Sequence, residues 1–271
     1  MHAHAEVLVG QPHPPMRWPL VLLSACLFMA GQTPAAAIES VPTIAQARAL
    51  YEDGLNQQAV AAAQAVLLSA PDAASQREAY RILGRAYTKM ALYDAALQAL
   101  SQAEQLAQQA SSAREAGLSL VYQGDVYERR KDHPQAMAHY TRALAILEPA
   151  KAWPEARRAW LQIGDIEVAH ADYDAGQKAY RQALAFAQKS NDPAAIAEAL
   201  DYLGYAYRRL GDHEKASQAH RQAEMIVSAR QRLLALHRVT DGGGFFSGLA
   251  MGLASFFMIA QPAIRDRKSV V

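Results

Sequence analysis

Cysteine is almost missing from this chain, with Cys26 alone among 271 residues. One thiol makes no internal disulfide and no cysteine metal site. Because Cys26 falls in an N-terminal apolar stretch that reads as a leader, the processed chain has no thiolate nucleophile either. An excess of charge of one sign is missing as well. The 27 Lys and Arg stand against 26 Asp and Glu, and a net charge of +1 leaves no strong field to gather nucleic acid or steer an anionic substrate. Catalytic signatures are also lacking: there is no G-x-S-x-G, no H-E-x-x-H, no Walker sequence and no G-x-G-x-x-G. No enzyme activity, cofactor, metal or small-molecule substrate is therefore expected. The composition, 51% hydrophobic and 20% charged, is that of an ordinary globular protein, and the length suits one or two domains.

The N-terminus reads as an export signal. Met16-Arg17 begins a basic segment, Trp18 to Ala30 is apolar, and Ala35-Ala36-Ala37 supplies a small-residue cleavage site, so residues 1–37 are expected to be removed. The apolar run is too short to span a bilayer comfortably. Residues 1–15, with three His and three Pro, do not resemble such a leader, which points to Met16 as the true start. A competing reading is lipidation of Cys26 within Leu23-Ser24-Ala25-Cys26, which resembles a bacterial lipobox. Either route exports the remainder, and the A-x-A style points to a bacterial periplasm.

What is present is a repeat. Gly84, Gly124, Gly164 and Gly204 stand 40 residues apart, and so do Ala103, Ala143, Ala183 and Ala223. A third column, Leu100, Tyr140, Tyr180 and His220, is large, and a fourth, Ala96, Ala136, Gly176 and Ala216, is small. Within each unit the apolar spacing is helical and falls into two segments, exemplified by Tyr80, Leu83, Gly84 and Tyr87, then Tyr93, Ala96, Leu100 and Ala103. Polar turns recur at Asp132-His133, Asp172-Tyr173 and Gly211-Asp212-His213. Ser112-x-x-Glu115 has capping-box spacing, and Asp192-Pro193 places a cap before a proline at the first helical position. The small columns predict close helix approach, and the large ones predict filling of the gaps between neighbours. The remaining histidines, His133, His139, His170, His213, His220 and His237, are better explained by repeat packing than by metal ligation.

These columns resemble the tetratricopeptide repeat, whose signature is W-x2-L-G-x2-Y, then A-x3-F, then P. Tyr80, Leu83, Gly84, Tyr87, Ala96, Leu100 and Ala103 follow it in the first full unit, and Trp160, Ile163, Gly164, Tyr180 and Ala183 in the third. Full units are placed at 77–110, 117–150, 157–190 and 197–230. A degenerate leading unit uses Ala47, Leu50, Gly54, Ala59, Ala63 and Pro71. Glu167, Gly176 and His220 depart from the pattern, the closing proline is absent from the full units, and the period of 40 predicts long helices. The resemblance implies an all-α fold over 38–240, a right-handed solenoid of antiparallel helix pairs ending in a helix extension. It further implies a concave face, lined by the first helix of each pair, that binds a protein or peptide.

On that face one column reads Arg81, Val121, Leu161, Asp201. The next reads Arg85, Asp125, Asp165, Tyr205, and the third Thr88, Glu128, Val168, Arg208. With Arg48 upstream, the groove is expected to be basic at its N-terminal end, acidic in the middle, and aromatic and basic beyond. Arg48, Arg81 and Arg85 are candidates to hold an acidic group, and Tyr205 with Arg208 a second point; plainly solvated helix faces are the alternative. Solvent is expected to keep carboxylates such as Asp125 and Asp165 ionised.

After Val239 the character changes. Asp241-Gly242-Gly243-Gly244 breaks the helix, residues 245–260 carry no charge, and Arg265, Arg267 and Lys268 follow in the tail that ends at 271. The 20 residues 245–264 measure about 30 Å as a helix, just enough for one membrane crossing, with Gly244, Gly248 and Gly252 spaced for close packing. The flanking charges orient the tail to the cytoplasm. The other use of the segment is to fold back over the exposed apolar face of the last helix. The expected function is a non-catalytic scaffold in the bacterial cell envelope, held at the inner membrane by 245–264. A periplasmic sensor relaying through that helix is the alternative.

Overall fold

The computed structural model describes residues 42–69 and 72–240. The leader 1–37, Pro71, the Gly-rich break and the apolar segment 245–264 lie outside the described residues. Ten helices follow one another: α1 (Ile44–Glu52), α2 (Asn56–Leu68), α3 (Ala73–Lys89), α4 (Tyr93–Gln109), α5 (Ala113–Arg129), α6 (His133–Leu147), α7 (Trp153–Ala169), α8 (Tyr173–Ser190), α9 (Pro193–Arg209) and α10 (His213–Thr240). No strand occurs among the described residues. Each helix packs on the next, giving the stacked antiparallel pairs of an α-solenoid. The first helices of the four full units begin four residues before the sequence columns place them, because their first turn precedes the first recurring apolar residue.

The turns are more regular than the sequence suggests. Ala91, Ser111, Lys131, Lys151, Ala171, Asn191 and Gly211 all have positive φ, between 52° and 81°, and stand 20 residues apart. In most of them the following N–H closes the helix onto a carbonyl five residues back, as from Leu92 to Tyr87, Asp132 to Tyr127 and Asp172 to Glu167, each at 2.9 Å. The unit of 40 is therefore two nearly equal halves. Acidic caps start several of them: Asp132, Asp172 and Asp192 accept from Gln135, Ala175 and Ala194 N–H at 3.2, 2.9 and 3.0 Å. The Ser112-x-x-Glu115 spacing does not close a capping box. Ser112 makes no side-chain cap, and the Glu115 carboxylate pairs with Arg77 across to α3.

The glycine and large-residue columns meet. A β-carbon on Gly84, Gly124, Gly164 or Gly204 would come within 3.0 Å of the Leu100, Tyr140, Tyr180 or His220 side chain respectively. Only a residue without a β-carbon admits these side chains so close to the first helix. Leu100, Tyr140 and Tyr180 are fully buried, whereas His220 is partly exposed. The small column Ala96, Ala136, Gly176 and Ala216 and the alanines at 103, 143, 183 and 223 are buried as expected. In the leading pair the fit uses other sizes: the turn geometry aligns Ala47 with Gly84 and Ala63 with Leu100, both alanines being fully buried. Gly54 occupies the turn of that pair at φ 79° rather than a helix face.

Candidate partner-binding face

The odd-numbered helices touch one another in series, α1 to α3, α3 to α5, α5 to α7 and α7 to α9; the even-numbered helices make no comparable contacts. Closer spacing on one side puts the odd helices on the inside of the curve. Arginine and glutamate link their N-terminal halves: Arg77 with Glu115, Arg114 with Glu155 at 2.6 Å, and Arg157 with Glu198.

At the N-terminal end Arg48 and Arg81 both pair with Glu78, Arg48 at 3.0 Å, and Arg81 also lies 3.8 Å from Glu115. Burial pushes Glu78 up, but Arg81 and then Arg48 outweigh it and hold its carboxyl below the ordinary range. Arg85 makes no ion pair among the described residues; its guanidinium lies over Tyr51 at 4.3 Å and Tyr122 at 4.9 Å. Arg158 lies over the same Tyr122 ring at 4.8 Å, so Tyr51, Arg85, Tyr122 and Arg158 alternate along α1, α3, α5 and α7. Three members of the expected columns do not line the surface: Val121 and Leu161 are core residues, and buried Thr88 donates its hydroxyl to Gly84 O at 2.6 Å.

In the middle, Asp125, Glu128 and Asp165 come together. The Tyr140 hydroxyl lies 2.9 Å from Asp125 Oδ1 and 3.0 Å from Glu128 Oε2, its single proton serving one at a time. Gln162 Nε2 donates to Glu128 at 2.9 Å, and Arg158 pairs with Asp125 at 2.5 Å. Tyr180 donates to Asp165 at 2.6 Å. Neither Glu128 nor Asp165 has an ion-pair partner among the described residues. Burial raises Glu128 above the usual carboxylate range, with Asp125 and Asp165 adding to it against the Tyr140 hydrogen bond. Burial likewise raises Asp165, opposed by Tyr180 and reinforced by Glu198. Glu128 and Asp165 are thus less well solvated than their spacing alone implies. Burial and the same carboxylates push the Tyr140 and Tyr180 phenols up, so both remain donors.

At the C-terminal end Asp201, Tyr205 and Arg208 stand apart from this cluster. Asp201 is 59% exposed and lies 3.1 Å from His220 Nδ1; Arg208 and Arg209 sit over the Tyr205 ring at 5.4 and 6.0 Å. Tyr51, Tyr122, Tyr140, Arg158, Gln162 and Tyr180 are the residues the surface columns miss. Their signal was present in the repeat, since Asp125 to Tyr140 and Asp165 to Tyr180 are both separations of 15. No group of three metal-ligating side chains occurs among the described residues.

The family described as Tetratricopeptide repeat matches residues 155–226, which span α7 to α10. A tetratricopeptide-repeat stretch thus occupies the last two helix pairs of the chain. Solved structures carry the same fold across more of its length. BtubC (BKLC) from P. vanneervenii is similar over 69% of this chain and 80% of its own, with 19% identity and a TM-score of 0.58. The signal transduction ATPase PH0952 from Pyrococcus horikoshii, which has a tetratricopeptide repeat sensor, is similar over 71% of this chain and 30% of its own, with 21% identity and a TM-score of 0.58. Aspartyl phosphate phosphatase F from Bacillus subtilis is similar over 68% and 58%, with 14% identity and a TM-score of 0.53. At these identities the likeness is one of fold. No curated protein has a matching sequence. Tetratricopeptide repeats in general present an extended concave face to protein or peptide partners.

Proposed function

We propose that this tetratricopeptide-repeat protein is a non-catalytic adaptor of the bacterial cell envelope, exported by its leader, whose inner face seats a basic segment of a protein partner. One observation carries the reading: Glu128 and Asp165 are half-buried carboxylates on the inner face with no ion pair among the described residues. Tyr140, Gln162 and Tyr180 hold them in place. A lysine or arginine side chain arriving there replaces lost hydration with a charge-assisted contact. Arg48 and Arg81 are less available for an acidic group, since Glu78 already draws on both. Asp201, Tyr205 and Arg208 would meet the partner further along.

A labelled oligolysine peptide, set against an oligoglutamate of equal length, tests this by fluorescence anisotropy. Oligolysine should bind, lose at least about tenfold in affinity in Glu128→Gln/Asp165→Asn, and weaken as added salt shortens the screening length. Preference for oligoglutamate, abolished by Arg81→Glu/Arg85→Glu, would place recognition at the arginine end and refute the acidic site. The envelope setting is tested separately by fractionating cells: a chain retained in the cytoplasm with residues 1–37 intact is not exported.

A further inference from the structure

Many charges of the inner face are matched within the chain. Arg48 and Arg81 share Glu78, Arg77 meets Glu115, and Arg158 meets Asp125 at 2.5 Å. In the three surface columns, the charged residues left without an ion pair among the described residues are Arg85 on α3, Glu128 on α5, Asp165 on α7 and Arg208 on α9. Their signs run positive, negative, positive along the solenoid. Arg85 differs from Arg208 in how it is held. It is half-buried and makes neither a hydrogen bond nor an ion pair among the described residues, while Tyr51 and Tyr122 lie against its guanidinium at 4.3 and 4.9 Å. Contact with ring faces positions a guanidinium without using any of its five N–H donors. Two rings from different helices, α1 and α5, therefore steady a fork that has no acceptor of its own. Arg208 is exposed and lies over the single ring of Tyr205 at 5.4 Å.

A planar fork of this kind matches a carboxylate, which accepts two of its N–H groups at once. Its place relative to the acidic seat then sets the ligand. Arg85 and Asp165 stand in one column two odd helices apart, and Glu128 is on the helix between them. At about 8–10 Å from one packed helix to the next, the positive and negative seats are about 8–20 Å apart. Extended chain covers that distance in roughly three to six residues. We infer that Arg85 is a carboxylate seat, and that the partner segment carries an acidic side chain about three to six residues from the lysine or arginine bound by Glu128 and Asp165. The inference rests on the basic-segment reading above and narrows it, from a basic partner to one that bears both signs at a set spacing.

Labelled Gly/Ser peptides with both ends blocked test this in the full chain by fluorescence anisotropy. Each carries one glutamate and, about five residues away, two lysines, in either order; a control has glutamine in place of the glutamate. In at least one order the glutamate peptide should bind at least about fivefold tighter than its control. Arg85→Gln should remove that advantage without weakening oligolysine binding. Arg85→Lys, which keeps the charge without the fork, should retain at most part of it, and Arg208→Gln should retain all of it. Equal affinity for glutamate and glutamine peptides in the wild type, or an equal loss for both in Arg85→Gln, overturns the inference while oligolysine binding still upholds the basic-segment reading. An advantage that survives Arg85→Gln and disappears in Arg81→Gln moves the carboxylate to the Glu78 cluster and also overturns it. If oligolysine and the mixed peptides all fail to bind, both readings fall.

Discussion

The two central repeats and the two outer ones use the same packing column to different ends. In all four a glycine on the odd helix admits a large side chain from the even helix. In the central pair that side chain is a tyrosine, and its hydroxyl passes through to the inner face to hold Asp125, Glu128 or Asp165. In the first full repeat it is Leu100, with no polar end, and in the last it is His220, which reaches only exposed Asp201. The core of the central repeats thus serves as the support of the surface site, while the outer repeats have a core and a surface that are independent. Mutations in one column should therefore have different consequences in different units.

The largest difference is expected from truncation. Tyr140→Ala should cost about 3–5 kcal/mol by urea unfolding and also abolish oligolysine binding, whereas Leu100→Ala should cost about 2–5 kcal/mol and leave binding intact. Loss of binding in both would erase the distinction. Next come the glycines. Gly164→Ala drives a β-carbon into a fully buried ring and should cost about 1–3 kcal/mol, while Gly204→Ala should cost less because partly exposed His220 can move aside. Equal costs would show that His220 is held as firmly as the tyrosines.

Titration sharpens the contrast further. A raised carboxyl binds its proton more tightly in the folded than in the unfolded chain. From the ordinary carboxylate range up through their raised values, Glu128 and Asp165 therefore weaken the fold as pH rises, and acidification restores that stability. The Glu128→Gln/Asp165→Asn variant should be more stable than the wild type at neutral pH, with the gap closing as the pH falls. Basic-peptide binding should fade over the same acid window. Urea unfolding and anisotropy across pH check both. The smallest effect is in the turns: Lys131→Gly or Ala171→Gly relieves a left-handed non-glycine residue and should gain up to about 1 kcal/mol, while Gly211→Ala should lose a similar amount. Thermal unfolding of the three variants orders them.

Much of the architecture was legible because the packing rule is written in residue size. Gly84 to Gly204 and Leu100 to His220 recur at 40, and their contact follows from volume alone. The half-period of 20 was hidden, since six of its seven left-handed positions hold alanine, serine, lysine or asparagine, none a glycine. Tertiary packing imposes that conformation against local preference. In the leading pair Gly54 makes the turn, and buried Ala47 stands where the full units have their helical glycine. The inner-face residues were legible one by one but not as partners. Arg81 finds Glu78 three residues away, Arg77 finds Glu115 across helices, and Arg85 finds rings rather than carboxylates, pairings that depend on side-chain reach and burial rather than on type.

The even spacing of the turns makes the solenoid a measure of length. Neighbouring packed helices lie about 8–10 Å apart, so the five odd helices set out an inner track of roughly 30–40 Å. An extended chain advances about 3.3 Å per residue, so about ten residues of a partner fill the track from end to end. Inserting one more 40-residue unit would let the same face accept two or three residues more.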